Sequence, residues 1–358
     1  MLKLMNWLFD SSTNWWGRFA SYVDLSPLVL RIRVTNRCNL SCHYCYVGSS
    51  LNQKIESPLS IEEWKQIFKN LPRFTLIDIT GGEPLLAPGI KDLLTELLDR
   101  KMKVSLISNG TVHKDDIFKL MVEKKLMHFM LSLDGPEAIH DEVRGKGHFE
   151  KTMKTASRIA ELKNELKSSY PKIVAKVTVT EANVDQLTSF CDYLINEAYF
   201  DGVTLNLLFQ NAARDGFADG ETIEEIKFTQ GNTVEFDPSK IASLVSQITK
   251  VKTLYTDRIQ IRPDISLKDL ENYFVSPMSM MPKNCFKYNS VVTVYQDGVM
   301  TPCDLGLKVA NIRDIDFKVG RIFKEKRMKQ FNRFMKKTSS QKLAGCGGCC
   351  LKKHELVT

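Results

Sequence analysis

The amino-acid sequence predicts an α/β protein built on parallel strands. Apolar, β-branched runs alternate with amphipathic segments of helical length between residues 29 and 209. Strands joined by helical crossovers in this way form a doubly wound sheet or a βα barrel. The residues suited to chemistry cluster at the ends of those runs, where both architectures place their functional sites.

The first run is VLRIRVT (29–35). The helical segment SIEEWKQIFKNL follows a polar loop and opens with Ser60 and Glu63, the two members of a capping box. It leads into TLIDIT (75–80). Pro88 begins PGIKDLLTELLDRK at a first-turn position where its missing N–H does no harm, and KVSLIS (103–108) comes next. HKDDIFKLMVEKK precedes HFMLSLD (128–134), FEKTMKTASRIAELKNELKS precedes KIVAKVTVT (172–180), and VDQLTSFCDYLINEA precedes GVTLNLLF (202–209). These three helices repeat apolar residues at three- and four-residue intervals, and Cys191 falls among them as a core residue. Six strands are therefore expected in a domain over residues 29–210. Residues 211–280 lose the periodicity and read as a connection over the sheet ends or as a linker. A cysteine-rich domain occupies 281–358.

Composition narrows the function classes. The chain has 358 residues, 43% hydrophobic and 26% charged, which excludes a disordered chain and a disulfide-stapled miniature. A net charge of +8 is too small and too dispersed to argue for nucleic acid, though it suits an acidic partner. No run reaches the roughly 18–20 apolar residues of a membrane span. The opening MLKLMNWLFDSS is broken by Asn6 and Asp10, so no signal peptide is expected and the protein is placed in the cytoplasm. The N-terminal extension, 1–28, carries Trp7, Trp15, Trp16, Phe19 and Tyr22 near Lys3 and Arg18. It reads as a helix packed on the domain, with peripheral membrane contact as the other reading.

Nine cysteines are distributed unevenly, three at Cys38, Cys42 and Cys45 and three at Cys346, Cys349 and Cys350. In a reducing compartment such clusters serve metals or catalysis in place of disulfides. The first set lies on TNRCNLSCHYCY, directly after the first strand. Three thiolates on one short loop can hold three irons of a cubane cluster and leave the fourth open to a substrate; a zinc knuckle completed by His43 is the alternative. The second strand ends in GGEP, where Gly81 and Gly82 allow the backbone to come close to a ligand and Glu83 offers a carboxylate suited to an ammonium group.

These segments resemble the radical S-adenosylmethionine superfamily. Its members carry a CxxxCxΦC loop after the first strand, with an aromatic at Φ matched here by Tyr44, and a GGE motif after the second. Ser108-Asn109-Gly110-Thr111 is similar to the family's (S/T)NG segment, Ser132-Leu133-Asp134-Gly135-Pro136 to its SLDG segment, and His140-Asp141 with Arg144-Gly145 to an HDxxRG stretch. The resemblance implies a partial (β/α)6 TIM-like barrel with a 4Fe-4S cluster on Cys38, Cys42 and Cys45. S-adenosylmethionine then chelates the open iron. Gly82 and Glu83 hold its amino group, Asn109 and Ser132 its ribose or methionine portion, and Arg144 its carboxylate, with Tyr44, Gly81 and Ser108 beside them. Reductive cleavage gives a 5′-deoxyadenosyl radical that takes a hydrogen atom from the substrate. Asp134 is a base or a ribose contact by this resemblance, and a cap of the following turn by local chemistry.

In the C-terminal part, SVVTVYQDGVMTPCD reads as a hairpin turning at Asp297-Gly298. Cys285, Cys303, Cys346 and Cys349 can meet at one metal, a zinc ribbon being one such centre. The pattern resembles a shortened SPASM extension, or twitch domain, which implies one auxiliary 4Fe-4S cluster that relays electrons during an oxidation. Cys350 is unassigned. The basic stretch RIFKEKRMKQFNRFMKK presents either a solvated face or a dock for an acidic electron donor such as a flavodoxin or ferredoxin. The expected activity is oxidation or cross-linking of a peptide or protein, with a small molecule such as a sugar alcohol as the other substrate class. A noncatalytic zinc protein is the alternative of a different kind.

Overall fold

Seven strands pair in parallel and in chain order: β1 (Val29–Arg33), β2 (Leu76–Thr80), β3 (Lys103–Ser108), β4 (His128–Ser132), β5 (Lys172–Val179), β6 (Gly202–Leu207) and β7 (Ile259–Arg262). This is a computed structural model, and it describes residues 26–42, 44–45, 47–207, 236–262, 265–275, 289–302 and 307–337. The six expected strands form within one or two residues of their expected bounds. The helices between them are α1 (Ile61–Lys69), α2 (Ile90–Asp99), α3 (Asp115–Glu123), α4 (Glu137–Arg144), α5 (His148–Glu165), α6 (Leu187–Asp192) and α7 (Pro238–Leu254). Ser60 and Glu63 cap α1 reciprocally, as the sequence requires.

Neighbouring strands that follow one another in the chain step always in the same direction, and right-handed crossovers then place every helix on one face. That outer face is apolar. Leu30, Ile32, Ile77, Ile79, Leu106 and Phe129 are fully buried in one core with helix residues such as Phe68, Leu94, Phe118 and Ile159. Each such side chain contributes roughly 1.5–3 kcal/mol by leaving water. The inner face has the opposite character. Arg31, Asp78, Ser105, His128 and Lys172 lie side by side across β1 to β5. Ser132, Lys176, Thr204 and Gln260 form a row across β4 to β7, and Thr178, Asn206 and Arg262 the next. Ser105 Oγ and His128 Nδ1 are 3.1 Å apart. Burial pushes His128 down to about 4, so its ring stays neutral in this layer.

The stretch expected as a connection, 211–280, contributes α7 and β7, so the sheet runs on past residue 210. A second extension was not expected. β8 (Val291–Tyr295) and β9 (Val299–Pro302) form the anticipated hairpin, with Gly298 at a φ of +85°. Yet β8 also pairs in parallel with the free edge of β1, Val29 opposite Val291 through Arg33 opposite Tyr295. The cysteine-rich C-terminal part thus continues the barrel sheet. β10 (Ala310–Asn311) adds to β9, and α9 (Lys326–Lys337) packs through Met328 and Phe331 while Lys326, Lys329 and Arg333 are exposed. α8 (Leu270–Val275) follows β7.

Arg313 fastens this extension to α1. Its Nε donates to Glu63 Oε1 at 2.6 Å and its Nη2 to Oε2 at 3.2 Å, and Nη1 also donates to the Asp297 carbonyl. The Arg313 hydrogen bond lowers the Glu63 carboxyl from 4.5 to about 2. A depressed carboxylate contributes stability above its ordinary range and loses it as pH falls toward the depressed value. Arg313→Gln is expected to cost roughly 1–3 kcal/mol at neutral pH. It should also remove part of the acid sensitivity between about pH 4.5 and 2, measured by urea unfolding of both chains across that range.

Candidate active site

The loop after β1 carries Cys38, Cys42 and Cys45, all half-buried free thiols. Side-chain amides hold this loop in shape. Asn52 accepts from the Cys38 amide at 3.0 Å and donates to the Cys38 carbonyl at 3.1 Å, while Asn36 Nδ2 donates to the carbonyls of Ser50 and Gln53. Asn52 does so from the left-handed region, φ 59°, which asparagine tolerates better than most residues. Burial raises the Cys38 and Cys42 thiols, and the Arg144 charge pulls both back.

The GGE segment after β2 is the second restraint. Gly82 N donates to the Thr35 carbonyl at 2.8 Å and Glu83 N to the Arg37 carbonyl at 2.7 Å. A Cβ at Gly81 would lie 2.3 Å from the Thr35 carbonyl oxygen, and one at Gly82 would lie 2.3 Å from that of Arg37. The sequence suggested that these glycines make room for a ligand; the neighbour they admit in the structure is the cysteine loop itself. Glu83 is wholly buried. Its Oε1 accepts from Ser108 Oγ at 2.9 Å and Leu85 N at 3.0 Å, and its Oε2 from Asn109 N at 2.7 Å. Burial raises its pKa against these bonds.

At the end of β3, Asn109, Asn39 and Thr111 close a small ring. Asn109 Nδ2 donates to Asn39 Oδ1 at 3.0 Å, Asn39 Nδ2 to Thr111 Oγ at 2.8 Å, and Thr111 Oγ to Asn109 Oδ1 at 2.8 Å. Asn39 belongs to the cysteine loop, so the ring ties that loop to β3. Ser132 ends β4 half-buried, and its hydroxyl makes no hydrogen bond among the described residues.

Asp134 and Arg144 form a buried ion pair through Oδ2 and Nε, and Arg144 Nη1 lies 3.8 Å from Cys42 Sγ. Asp134 Oδ1 also accepts from Thr178 N at 3.2 Å, and its backbone amide donates to His140 Nδ1 at 3.3 Å. Burial alone would raise the Asp134 carboxyl, but the Arg144 charge overrides it and the net shift is downward. A carboxylate so held is a poor proton acceptor; Asp134 orients Arg144, a contact that the sequence reading, with its base, ribose contact or turn cap, did not include. Arg144 Nη2 has no partner among the described residues and remains available. The Tyr44 hydroxyl is buried without a hydrogen-bond partner, and burial together with the Asp134 charge raises its pKa. His140 Nε2 is likewise buried and unpartnered.

The carboxyl ends of β1 to β4 therefore bring together Cys38, Cys42, Cys45, Tyr44, Gly81, Gly82, Glu83, Ser108, Asn109, Ser132, Asp134 and Arg144. Among the described residues no three of Cys, His, Asp or Glu converge as ligands of a single ion. Three unpaired thiols on one restrained loop, with a guanidinium beside one of them, suit a cluster in which each sulfur takes a different iron. His43, Cys285, Cys303, Cys346, Cys349, Cys350 and the aromatic N-terminus lie outside the described residues.

Residues 32–173 match the family model of the radical SAM superfamily, and this is the stretch that builds β1 to β4 with their loops. The chain carries a radical SAM domain. Among curated proteins it is similar to the sporulation killing factor maturation protein SkfB of Bacillus subtilis, 26% identical over 302 residues, 83% of this chain and 64% of that protein. It is similar also to the mycofactocin maturase MftC of Mycolicibacterium smegmatis, 29% identical over 168 residues, 46% of this chain and 41% of that one. The chain thus spans less than two thirds of the length of the curated relatives it matches. Of solved structures, Streptococcus suis SuiB bound to precursor peptide SuiA superimposes with a TM-score of 0.62 at 17% identity, over 91% of this chain and 71% of that one. Native anSMEcpe with bound AdoMet gives 0.59 at 20% identity, over 90% and 89%. Both share the fold of the radical SAM domain. No helix among the described residues is long and apolar enough to cross a membrane.

Asn36, Asn39 and Asn52 are the supporting residues of the radical SAM domain that sequence reasoning passed over, while Thr111 was noted only as part of the Ser108–Thr111 segment. Their signal was weak, three asparagines flanking cysteines in a loop. Gly82→Ala tests the close approach, because its Cβ has no space beside the Arg37 carbonyl. The variant should bind iron roughly 10- to 100-fold more weakly on anaerobic reconstitution, as loss of ligand support does at metal sites. Iron content and visible absorbance measure this, with the urea midpoint showing that the fold persists.

Proposed function

We propose that the protein is a radical S-adenosylmethionine enzyme that oxidises or cross-links a peptide or protein substrate. The observation that carries this is the three-thiol loop, held against the GGE backbone at the carboxyl end of β1. Cys38, Cys42 and Cys45 hold a 4Fe-4S cluster. When bound, the cluster supplies the electron for reductive cleavage of S-adenosylmethionine and so gives the site its hydrogen-abstracting chemistry.

The chain's own residues position that cofactor. Arg144, oriented by Asp134, directs its remaining N–H toward the carboxylate of S-adenosylmethionine, for which a planar guanidinium is the fitting partner. Gly81, Gly82 and Glu83 line the amino end, where the Glu83 charge complements an ammonium. Ser108, Asn109 and Ser132 border the ribose and methionine portions from β3 and β4, and Tyr44 closes the loop side. The apolar outer face keeps water from the back of the sheet, while the polar inner face receives the substrate. A peptide substrate is supported by the character of the relatives, which include maturation proteins, and by a fold shared with SuiB, whose structure holds a precursor peptide.

Cys285, Cys303, Cys346 and Cys349 hold one auxiliary 4Fe-4S cluster of the SPASM or twitch kind. Support comes from the β8–β9 hairpin anticipated from the sequence, whose second strand ends at Pro302, one residue before Cys303 in the sequence. Held by these four thiolates, such a cluster would be fully ligated and would supply an acceptor for an electron leaving the oxidised substrate. The exposed cations of α9 suit an acidic reductant such as flavodoxin or ferredoxin, in the cytoplasm.

Anaerobic reconstitution with iron and sulfide should give a brown protein that releases 5′-deoxyadenosine from S-adenosylmethionine under reduction, and Cys42→Ser should abolish the release. A colourless protein that takes up zinc alone would sink the proposal. Replacing Cys285 and Cys303 with Ala is expected to lower iron from about eight to about four per chain, the content of one cubane cluster. Cofactor cleavage should persist in part while product formation stops; unchanged product would remove the auxiliary cluster from the reaction.

A further inference from the structure

β6 turns its two faces to different surroundings. Val203, Leu205 and Leu207 are buried in the apolar core, so the alternate residues Thr204 and Asn206 face the polar inner side of the sheet. We infer that Thr204 and Asn206 form a subsite that holds the main chain of an extended peptide substrate by its amide carbonyls. The inference deepens the peptide reading above and rests on it.

Both residues carry hydrogen-bonding capacity that the chain leaves unused. Thr204, 1% exposed, has an Oγ with no hydrogen-bond partner, and Asn206 Nδ2 is buried without one. Among the described residues they are the one such pair set two positions apart on a strand. Native structures leave few buried polar groups unsatisfied, so a pair of them marks where a ligand or ordered water completes the site. An amide NH2 only donates, a threonine hydroxyl has a proton to give, and neither is charged, so neutral acceptor oxygens satisfy both. Spacing selects the kind of acceptor. Alternate residues of a strand are about 6.6–6.8 Å apart, and the carbonyls along one edge of an extended peptide repeat at the same interval. A peptide lying along β6 therefore meets Thr204 with one carbonyl and Asn206 with the next on that edge. A single side-chain amide or hydroxyl has no second acceptor at that distance.

Strand register relates the subsite to the cofactor residues. Ser132 is opposite Lys176, and Lys176 is opposite Thr204. Asn206 is opposite Thr178, whose amide donates to Asp134 Oδ1 at 3.2 Å. With neighbouring strands about 4.8 Å apart, the bound main chain runs roughly 10 Å from the end of β4 that carries Ser132 and Asp134. An extended chain covers that distance in about three residues, so the modified position lies within about three residues of the held segment. Recognition of this kind is indifferent to the side chains on the segment it holds.

The test uses the full chain, immobilised after anaerobic reconstitution with iron, sulfide and S-adenosylmethionine, and an N-acetylated, C-amidated random octapeptide library whose retained fraction is read by mass spectrometry. Thr204→Val and Asn206→Leu remove the donors at nearly constant volume. Each should lower retention of the whole library roughly three- to tenfold, with the amino-acid composition of the retained peptides unchanged. Thr204→Ser keeps the hydroxyl and should stay within about twofold of the wild type. Because Val and Leu replace buried groups that the free chain leaves unpaired, the urea midpoints of those two variants should equal or exceed that of the wild type. A lower midpoint shows that the chain itself uses the groups and overturns the inference. Retention that survives both substitutions leaves ordered water as what completes the pair, and loss of a preference for particular side chains identifies a side-chain occupant; either result overturns it. Release of 5′-deoxyadenosine stimulated by the library is followed in the same preparation. Stimulated release by a wild-type chain whose retention ignores both substitutions removes the subsite and keeps the peptide reading, and retention that depends on them without stimulated release does the reverse. A wild-type chain that does not retain the library removes the subsite, and one that also shows no stimulated release removes the peptide reading with it.

Discussion

A carboxylate that is wholly buried must be surrounded by donors, and in this chain Glu83 meets that demand from three directions. Its oxygens accept from β3 and from its own turn, while its backbone amide donates to the cysteine loop. The ends of β1, β2 and β3 are thereby fixed to one another through a single residue. An unpaired charge at this depth would cost several kcal/mol, so the donors and the carboxylate hold each other in place. Everything the cysteine loop can present to a cofactor depends on that junction.

The sheet that carries the junction has two unlike faces. Parallel sheets are ordinarily buried on both sides and read as continuous apolar runs. Here the runs alternate, as in Leu30-Arg31-Ile32-Arg33, and every second residue turns toward an interior of arginine, threonine, serine and histidine. The helices are stabilised by the outer face. The inner face gathers polar and charged side chains, and a polar ligand is what such a surface accommodates.

Much of this was legible in the sequence, and the limits have physical causes. The six strands were visible because their β-branched runs are bounded by turns, and the cysteine loop because its spacing leaves few alternatives. β7 was missed: four residues, Ile259 to Arg262, make too short a run to stand out after α7. The pairing of β8 with β1 joins residues about 260 positions apart, and no local periodicity reports such a contact. Gly81 and Gly82 were singled out for approach to a ligand, whereas the neighbours beside them are the Thr35 and Arg37 carbonyls, and which neighbour approaches is a tertiary fact. The same holds for Asp134, whose partner Arg144 comes from a different element. Asn36, Asn39 and Asn52 look like ordinary loop residues until the groups they bridge are in space.

The parallel pairing of β8 with β1 has a bearing on how this chain could be divided. A terminal module joined by a flexible tether can be cut away and leave its neighbour intact; a strand cannot. Severed before residue 289, the remainder would expose a bare row of amides and carbonyls along the very strand that feeds the cysteine loop, a template for pairing with other chains. The seam between barrel and extension thus lies inside the sheet, and any exchange of extensions between such proteins has to carry β8 with it to leave a closed edge behind.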